Sequence, residues 1–148
     1  MPRARRRVVS EIKSYRDLLA WQTAIDLVDL VYTVTAAFPD GERFGLVGQM
    51  RRAAVSMPSN IAEGSRHRTA GYISRVIIAL GEHAELETQL VICERRRYIN
   101  RPALDALNSL STRVGQLTHG LLRSLKTKRR AEKQRGTANP ESRPPNPD

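Results

Sequence analysis

The 148-residue sequence has one cysteine, few aromatic residues and no repeated glycine-rich segment. The single cysteine, Cys93, excludes an intramolecular disulfide framework and a thiolate-rich zinc site. It lies in the apolar run Val-Ile-Cys, where a buried, unreactive thiol is expected. Aromatic residues make up 5% of the chain against 40% for all hydrophobic residues, so the core must be aliphatic. This composition is typical of an all-α protein.

Long apolar runs are also missing. No stretch approaches the ~18 apolar residues that a membrane-spanning helix needs. The opening letters MPRARRR resemble the basic start of a signal peptide, but the polar sequence VVSEIKSYRD follows them and no apolar segment comes next. We therefore expect a soluble, cytoplasmic protein that does not associate with a membrane.

The motifs of common catalytic and metal sites are absent as well. His67, His83 and His119 lie on three separate segments, and none belongs to a His-x-x-x-His or Glu-x-x-His pair. Glu63 and His67 are four residues apart, but Gly64 lies between them and argues against a shared helical face. There is no glycine-rich phosphate loop and no nucleophile with a local activating motif. The sequence predicts a protein that is not an enzyme and that holds no cofactor or metal.

The formal net charge of +10 is concentrated at the two ends of the chain. Residues 1–10 carry four arginines and no acid, and residues 123–148 carry eight basic and three acidic residues, whereas residues 11–122 are almost neutral. Such ends either solubilise a protein or contact nucleic acid, and the sequence leaves both possibilities open. The candidate nucleic-acid-binding residues are Arg3, Arg5, Arg6, Arg7, Lys126, Lys128, Arg129, Arg130, Lys133 and Arg135.

Apolar residues at steps of three and four predict four helices, over about 14–38, 42–64, 70–97 and 102–126. Ser14 and Asp17 form a start signal, Thr69 is a candidate N-cap, and Pro102 suits a first helical turn. We divide the chain into a basic disordered arm (1–12), a helical domain (13–126) and a basic, proline-rich disordered tail (127–148). Short connections predict an antiparallel, up-down four-helix bundle. The first three helices carry more apolar surface than one bundle can bury, which predicts a homo-oligomer.

The second helix carries Pro58 in the middle of its apolar pattern. The helix either breaks before the proline and restarts, or bends and continues, and the unbroken apolar phase favours the continuous helix. Gly64 is its natural end. A polar line also runs along this helix, and it is either the solvent face or a packed contact opposite Glu85, Glu87 or Gln89. The candidate structural residues are Gln49, Arg52, Ser56, Pro58, Asn60, Glu63, Gly64 and Glu85.

Three stretches of the sequence resemble a known family: DLLAWQTAIDLVDLVYTVTAAFP, GLVGQMRRAAVSMPSNIAEGSRHR and ELETQL. They are similar to the small bacterial proteins of the 23S rRNA intervening-sequence protein family, and the segment 49–64 carries the strongest similarity. The resemblance implies an antiparallel four-helix bundle that assembles into a ring, reported as a homopentamer. It also extends to accessory proteins of diversity-generating retroelements, whose basic pentameric barrels bind a reverse transcriptase and RNA.

Two hypotheses about function follow. The first is a non-enzymatic, homo-oligomeric helical scaffold that binds nucleic acid, with RNA favoured, through its basic ends. The second is an assembly adaptor for a protein partner such as a reverse transcriptase.

Overall fold

A computed structural model describes residues 11–138 of the chain, and within that range the protein is helical without a β-strand. The predictions of an all-α protein and of four helices are confirmed. Two single-turn 3₁₀ helices precede α1 and α2, at Tyr15–Asp17 and Asp40–Glu42. The four α-helices are α1 (Leu19–Thr35), α2 (Leu46–Gly64), α3 (Thr69–Arg96) and α4 (Arg101–Thr137).

Each helix packs against two others: α1 against α2 and α4, and α3 against α2 and α4. The shared core is aliphatic, as the composition predicted, and its fully buried side chains include Leu27, Met50, Leu86 and Leu107. Burial of such side chains is the main favourable term in folding. None of the helices within residues 11–138 is long and apolar enough to cross a bilayer.

The first two α-helices begin later than the sequence suggested, because a 3₁₀ turn precedes each of them. Ser14 and Asp17 do form a capping box, but the box closes the first 3₁₀ turn and α1 begins only at Leu19. Similarly, α2 begins at Leu46 because residues 40–42 form their own turn, after which the Glu42 carboxylate accepts a hydrogen bond from the Leu46 amide at 3.1 Å. A capping motif in the sequence predicts that a helical turn begins there, but this turn can be 3₁₀ instead of α-helical.

The prediction that Thr69 caps α3 is wrong. Thr69 is the first residue of the helix and Arg68 is the N-cap, without a side-chain hydrogen bond to the helix. The Thr69 hydroxyl instead donates to the Glu132 carboxylate of α4 at 3.0 Å. The side chain therefore joins two helices, a use that local sequence does not reveal.

Pro58 lies inside α2, which runs without interruption from Leu46 to Gly64. The interpretation as one continuous helix is confirmed, and the bend at Pro58 stays a prediction. The end at Gly64 is confirmed too, and close packing explains why this position is a glycine. A Cβ at position 64 would lie 2.6 Å from Cδ2 of Tyr72 and 3.0 Å from Cβ of Arg75, so only glycine allows α3 to pass this near.

The end of α4 corrects the predicted domain boundary. The helix continues to Thr137 instead of ending near Lys126, so the predicted disorder of 127–137 is wrong. Residues in this segment are mostly good helix formers, and an established helix propagates through them at little cost even without an apolar stripe. The tail beyond Ala138 and the arm 1–10 lie outside the described residues.

Candidate nucleic-acid interface

The predicted basic residues of the C-terminal segment all lie on α4, and the helix divides them into two groups. Lys126, Arg129, Arg130 and Lys133 line one shallow groove beside Ile73 of α3. At about 100° per residue, Lys128 and Arg135 lie on the opposite side of the helix. The structure therefore brings together four of the six predicted residues. Arg3, Arg5, Arg6 and Arg7 lie outside the described residues.

A second, larger groove lies further along the same side of α3 and α4, where sequence analysis predicted no site, and we treat the two as parts of one α3/α4 groove. His119, Arg123 and Gln116 line this second part together with His83 and Glu87 of α3. The complete donor-bearing line on α4 is Gln116, His119, Arg123, Lys126, Arg130 and Lys133. These positions recur at steps of three and four over about 25 Å of helix, which places them on one face. The same steps of three and four can be found in the sequence. The predicted end of the helix near Lys126, however, left Arg130 and Lys133 outside the pattern. We call this line the basic stripe.

Contacts between α3 and α4 fix the geometry of the groove. At its basic end, Leu125 packs with Ile73 and Val76, and the Thr69–Glu132 hydrogen bond joins the start of α3 to the last turns of α4. These contacts occupy the inner face of α4. The cationic face remains directed outward.

At the other end of the groove, Gly115 lets an imidazole lie against α4. A Cβ at this position would be 2.6 Å from Cε1 of His83. The Nε2 atom of His83 lies 2.7 Å from the Ser111 carbonyl oxygen and 3.6 Å from a carboxylate oxygen of Glu87. This end is thus partly acidic, whereas the end beyond Arg123 is cationic.

The cations of the stripe have no carboxylate partner among residues 11–138. The ion pairs of this range involve Arg52, Arg75, Arg101 and His83. None of them includes Arg123, Lys126, Arg130 or Lys133 of the stripe, or the neighbouring Arg129. A row of unpaired cations along one groove concentrates positive potential there. Among residues 11–138, no phenylalanine, tyrosine or tryptophan lines either part of the groove. The arrangement therefore suits phosphate contacts more than stacking on bases.

The polar line of α2 lies along the seam with α3, and its members have different surroundings. Arg52 donates to Glu85, as the packed-contact interpretation predicted, and also to Glu82 at 3.3 Å. Glu63 pairs with Arg75 at 2.8 Å. The Arg52 side chain is 56% exposed, so this contact is a surface ion pair and not the buried pair of that interpretation. Each of the two original interpretations was therefore half correct.

The remaining members of the line have structural surroundings. Asn60 is buried and donates to the Ser56 carbonyl oxygen at 2.8 Å, inside its own helix, and Gln49 is exposed. The hydrogen bond from Arg52 lowers the pKa of Glu85 and in turn raises that of Arg52, because each group stabilises the charged form of the other. The expected partner Glu87 instead faces His83. The contacts of Arg52, Glu63 and Asn60 stay within or between α2 and α3, which indicates an architectural role for the line.

The predicted burial of Cys93 is confirmed. Its sulfur lies 3.5 Å from the Met50 sulfur, and desolvation raises the pKa of the thiol to about 11. The thiol is therefore protonated at neutral pH and is a poor nucleophile. Across residues 11–138, no three histidine, cysteine or acidic side chains are grouped so as to hold a metal ion.

The fold and the groove define a small all-α protein in which four packed helices present one basic seam. The model of the 23S rRNA-intervening sequence protein family matches residues 16–120, and the chain belongs to this family. The resemblance carried by the segment 49–64 is thereby confirmed. Most of the basic stripe, from Arg123 onward, lies beyond the matched range.

A solved structure has a similar fold. It is a protein of unknown function from the S23 ribosomal protein family of Bacteroides thetaiotaomicron VPI-5482, with a TM-score of 0.62 and 25% sequence identity. The match covers 71% of this chain and 96% of the Bacteroides chain. No curated protein matches the sequence.

Proposed function

We propose that the protein is a non-enzymatic, homo-oligomeric scaffold of the cytoplasm that binds nucleic acid, with RNA favoured, through the basic stripe on α4. The observation that carries the proposal is the row of cations along the α3/α4 groove that have no carboxylate partner among residues 11–138. Phosphate neutralisation by such a row releases counterions and supplies affinity that does not depend on sequence. RNA is favoured because the family is named for sequences that intervene in 23S rRNA.

The proposal includes an up-down order of the helices. Met50 lies beside Cys93 near one end of the α2–α3 pair, and Glu63 lies beside Arg75 near the other. The residue numbers rise along α2 as they fall along α3, as an antiparallel pair requires. The same reversed order relates His83 to Ser111 and Thr69 to Glu132 in the α3–α4 pair.

A ring of copies, a pentamer by family resemblance, would multiply weak contacts. Each copy contributes one basic stripe, and Arg3, Arg5, Arg6 and Arg7 of the arm add cations of the same sign. Linked weak sites bind a long polyanion far more tightly than one site does, provided that their geometry allows simultaneous contact.

The experiment is a salt titration of RNA binding with two matched double variants. Arg130→Gln/Lys133→Gln removes one arginine and one lysine from the stripe. Lys128→Gln/Arg135→Gln removes the same two residue types from the opposite side of the helix. The slope of log K against log salt is expected to fall by about 1.5 in the first variant, at ~0.7 per lost single-strand phosphate contact. The second variant should stay within about 0.5 of the wild type.

An equal decrease in the salt slope of the two variants would contradict a defined stripe and would indicate a response to net charge alone.

An adaptor for a protein partner, such as a reverse transcriptase, is the second candidate. The observation that favours it is the amount of exposed apolar surface outside the groove, including Phe44 at 94% exposure. If both variants bind RNA as the wild type does, this second candidate becomes the better account.

A further inference from the structure

The outward face of α3 is mostly uncharged over more than six turns. Of the exposed residues from Ala70 to Ile92, all except Glu87 are small or aliphatic, and they include Ile77, Ile78, Gly81, Ala84, Val91 and Ile92. Glu87 faces His83 in the α3/α4 groove, and the partly exposed Glu85 pairs with Arg52 of α2. Ile77 is 50% exposed and Val91 is 51% exposed. The solvent face of a surface helix is normally polar, and 27% of the residues of this chain are charged. This α3 ridge therefore has the composition of a contact surface.

Gly81 lies in the middle of the α3 ridge and has no packing role against residues 11–138. A Cβ added there would meet no atom within 4 Å, whereas Gly64 and Gly115 are each needed for a close contact. A glycine in a helix interior costs about 1 kcal/mol relative to alanine. A close approach from outside the chain accounts for this glycine.

An uncharged surface lies between α1 and α2. It is a shallow groove of about 240 Å³ lined mainly by Trp21, Ile25 and Val28 of α1 and by Val55 and Pro58 of α2. Val55 is 40% exposed, and Tyr32, one turn beyond Val28 on α1, is 45% exposed. No charged side chain lines this α1/α2 groove.

The two surfaces match in shape and in charge. One is a single-helix ridge and the other is a two-helix groove, as in the packing of helices by ridges into grooves. The α1/α2 groove carries no charge, and Glu85 beside the ridge already pairs with Arg52. Contact between the two surfaces would therefore bury no unpaired ion and would avoid the desolvation cost of one. Within one chain the α3 ridge points outward at its own corner of the bundle, while α1 packs against α2 and α4. The α3 ridge therefore cannot reach the α1/α2 groove of its own chain, and the contact must form between two copies.

We propose that the α3 ridge of one copy docks into the α1/α2 groove of the next copy, with Ile77 and Ile78 against Trp21 and Val55. This inference rests on the homo-oligomer of the proposed function and assigns its interface. The contact is heterologous, because two different surfaces meet and each bound copy retains one free surface of each kind. Such contacts continue from copy to copy until a ring closes.

Two charge-insertion variants test this arrangement because each one damages a different surface. Ile77→Glu blocks the ridge and leaves the groove intact, and Val55→Glu blocks the groove and leaves the ridge intact. Both positions are about half exposed, so the isolated bundle should still fold, which circular dichroism and thermal unfolding check. Leu19→Glu is the matched control, since Leu19 is 57% exposed and belongs to neither surface.

Light scattering at micromolar concentration measures the masses. The wild type and Leu19→Glu should form the same closed oligomer, while each blocked variant alone should have the 16.6 kDa mass of one chain. An equimolar mixture of the two blocked variants should form dimers and nothing larger, because only one intact ridge and one intact groove can meet. A mixture that stays monomeric, or a blocked variant that keeps the wild-type mass, would overturn the assignment.

The RNA titration separates failure of this interface from failure of the nucleic-acid proposal. A blocked, monomeric variant still carries the basic stripe, so its salt slope per chain should match that of the wild type. A wild type that is itself monomeric would overturn the interface and the oligomer. The RNA titration would then still measure how much the basic stripe contributes to RNA binding.

Discussion

The two halves of α4 have different surroundings. Residues 101–120 supply the core with Leu104, Leu107 and Val114, each 2% exposed or less. Residues 121–137 have one buried side chain, Leu125, which packs with Ile73 and Val76 of α3. The family match ends at residue 120. In the first half, the inward-facing side chains are apolar because they are buried in the core. In the second half helix propagation keeps the backbone regular, and the outward face can carry charge.

The largest expected difference between the halves is in the loss of a buried leucine. Leu107→Ala should lower the free energy of unfolding by about 2–5 kcal/mol, because the cavity lies in the fully packed core. Leu125→Ala should cost no more than about 2 kcal/mol, since its cluster lies near the helix end and can close around the gap. Urea denaturation of both variants checks the order, and equal costs would show that the second half is as firmly packed as the first.

A smaller effect is expected from adding a methyl group to glycines of the first half. Gly115→Ala should destabilise the protein by about 1–3 kcal/mol, because the new Cβ displaces the His83 ring from its place over the Ser111 carbonyl oxygen. Gly120→Ala is the control, since its Cβ would meet only the flexible end of Arg123 at 3.6 Å. Higher helix propensity should make that control neutral or slightly stabilising. A Gly115→Ala variant as stable as the control would show that the contact with His83 yields easily.

The smallest effect on stability is expected from breaking the second half of α4. Ala131→Pro removes a helical hydrogen bond and should unfold the turns around and after it, including Lys133, while the core stays intact. Global stability should change by less than about 1 kcal/mol. Amide hydrogen exchange near residues 127–137 should lose its protection, and the salt slope of RNA binding should fall toward that of the stripe variant.

Ala131→Gln, which keeps the helix, is the control for this change. Full protection of residues 127–137 in the proline variant would mean that contacts with α3 hold the segment more firmly than propagation does. A large fall in global stability would have the same meaning.

The sequence by itself determined the aliphatic core and the number of helices, because apolar spacing must match the helical repeat wherever one face is buried. It also predicted the continuous helix through Pro58 and the end of α2 at Gly64. These features depend on a residue and its near neighbours along the chain. The resemblance carried by the segment 49–64 identified the family for the same reason, since the signal is local.

Tertiary structure decided the features that depend on a neighbouring helix. Thr69 was read as a cap, but its hydroxyl bonds to Glu132, which is distant in sequence. Arg52 does pair with Glu85, yet only the position of the seam at the bundle surface decided that the pair is half exposed.

The division of the basic residues also required the fold. The continuation of α4 beside α3 determines which basic residues face the groove. It also brings His119 and Arg123 to the same surface. The chemistry of each side chain follows from the sequence. A surface shared by two segments forms only when their helices pack, because packing brings side chains that are distant in sequence to one place.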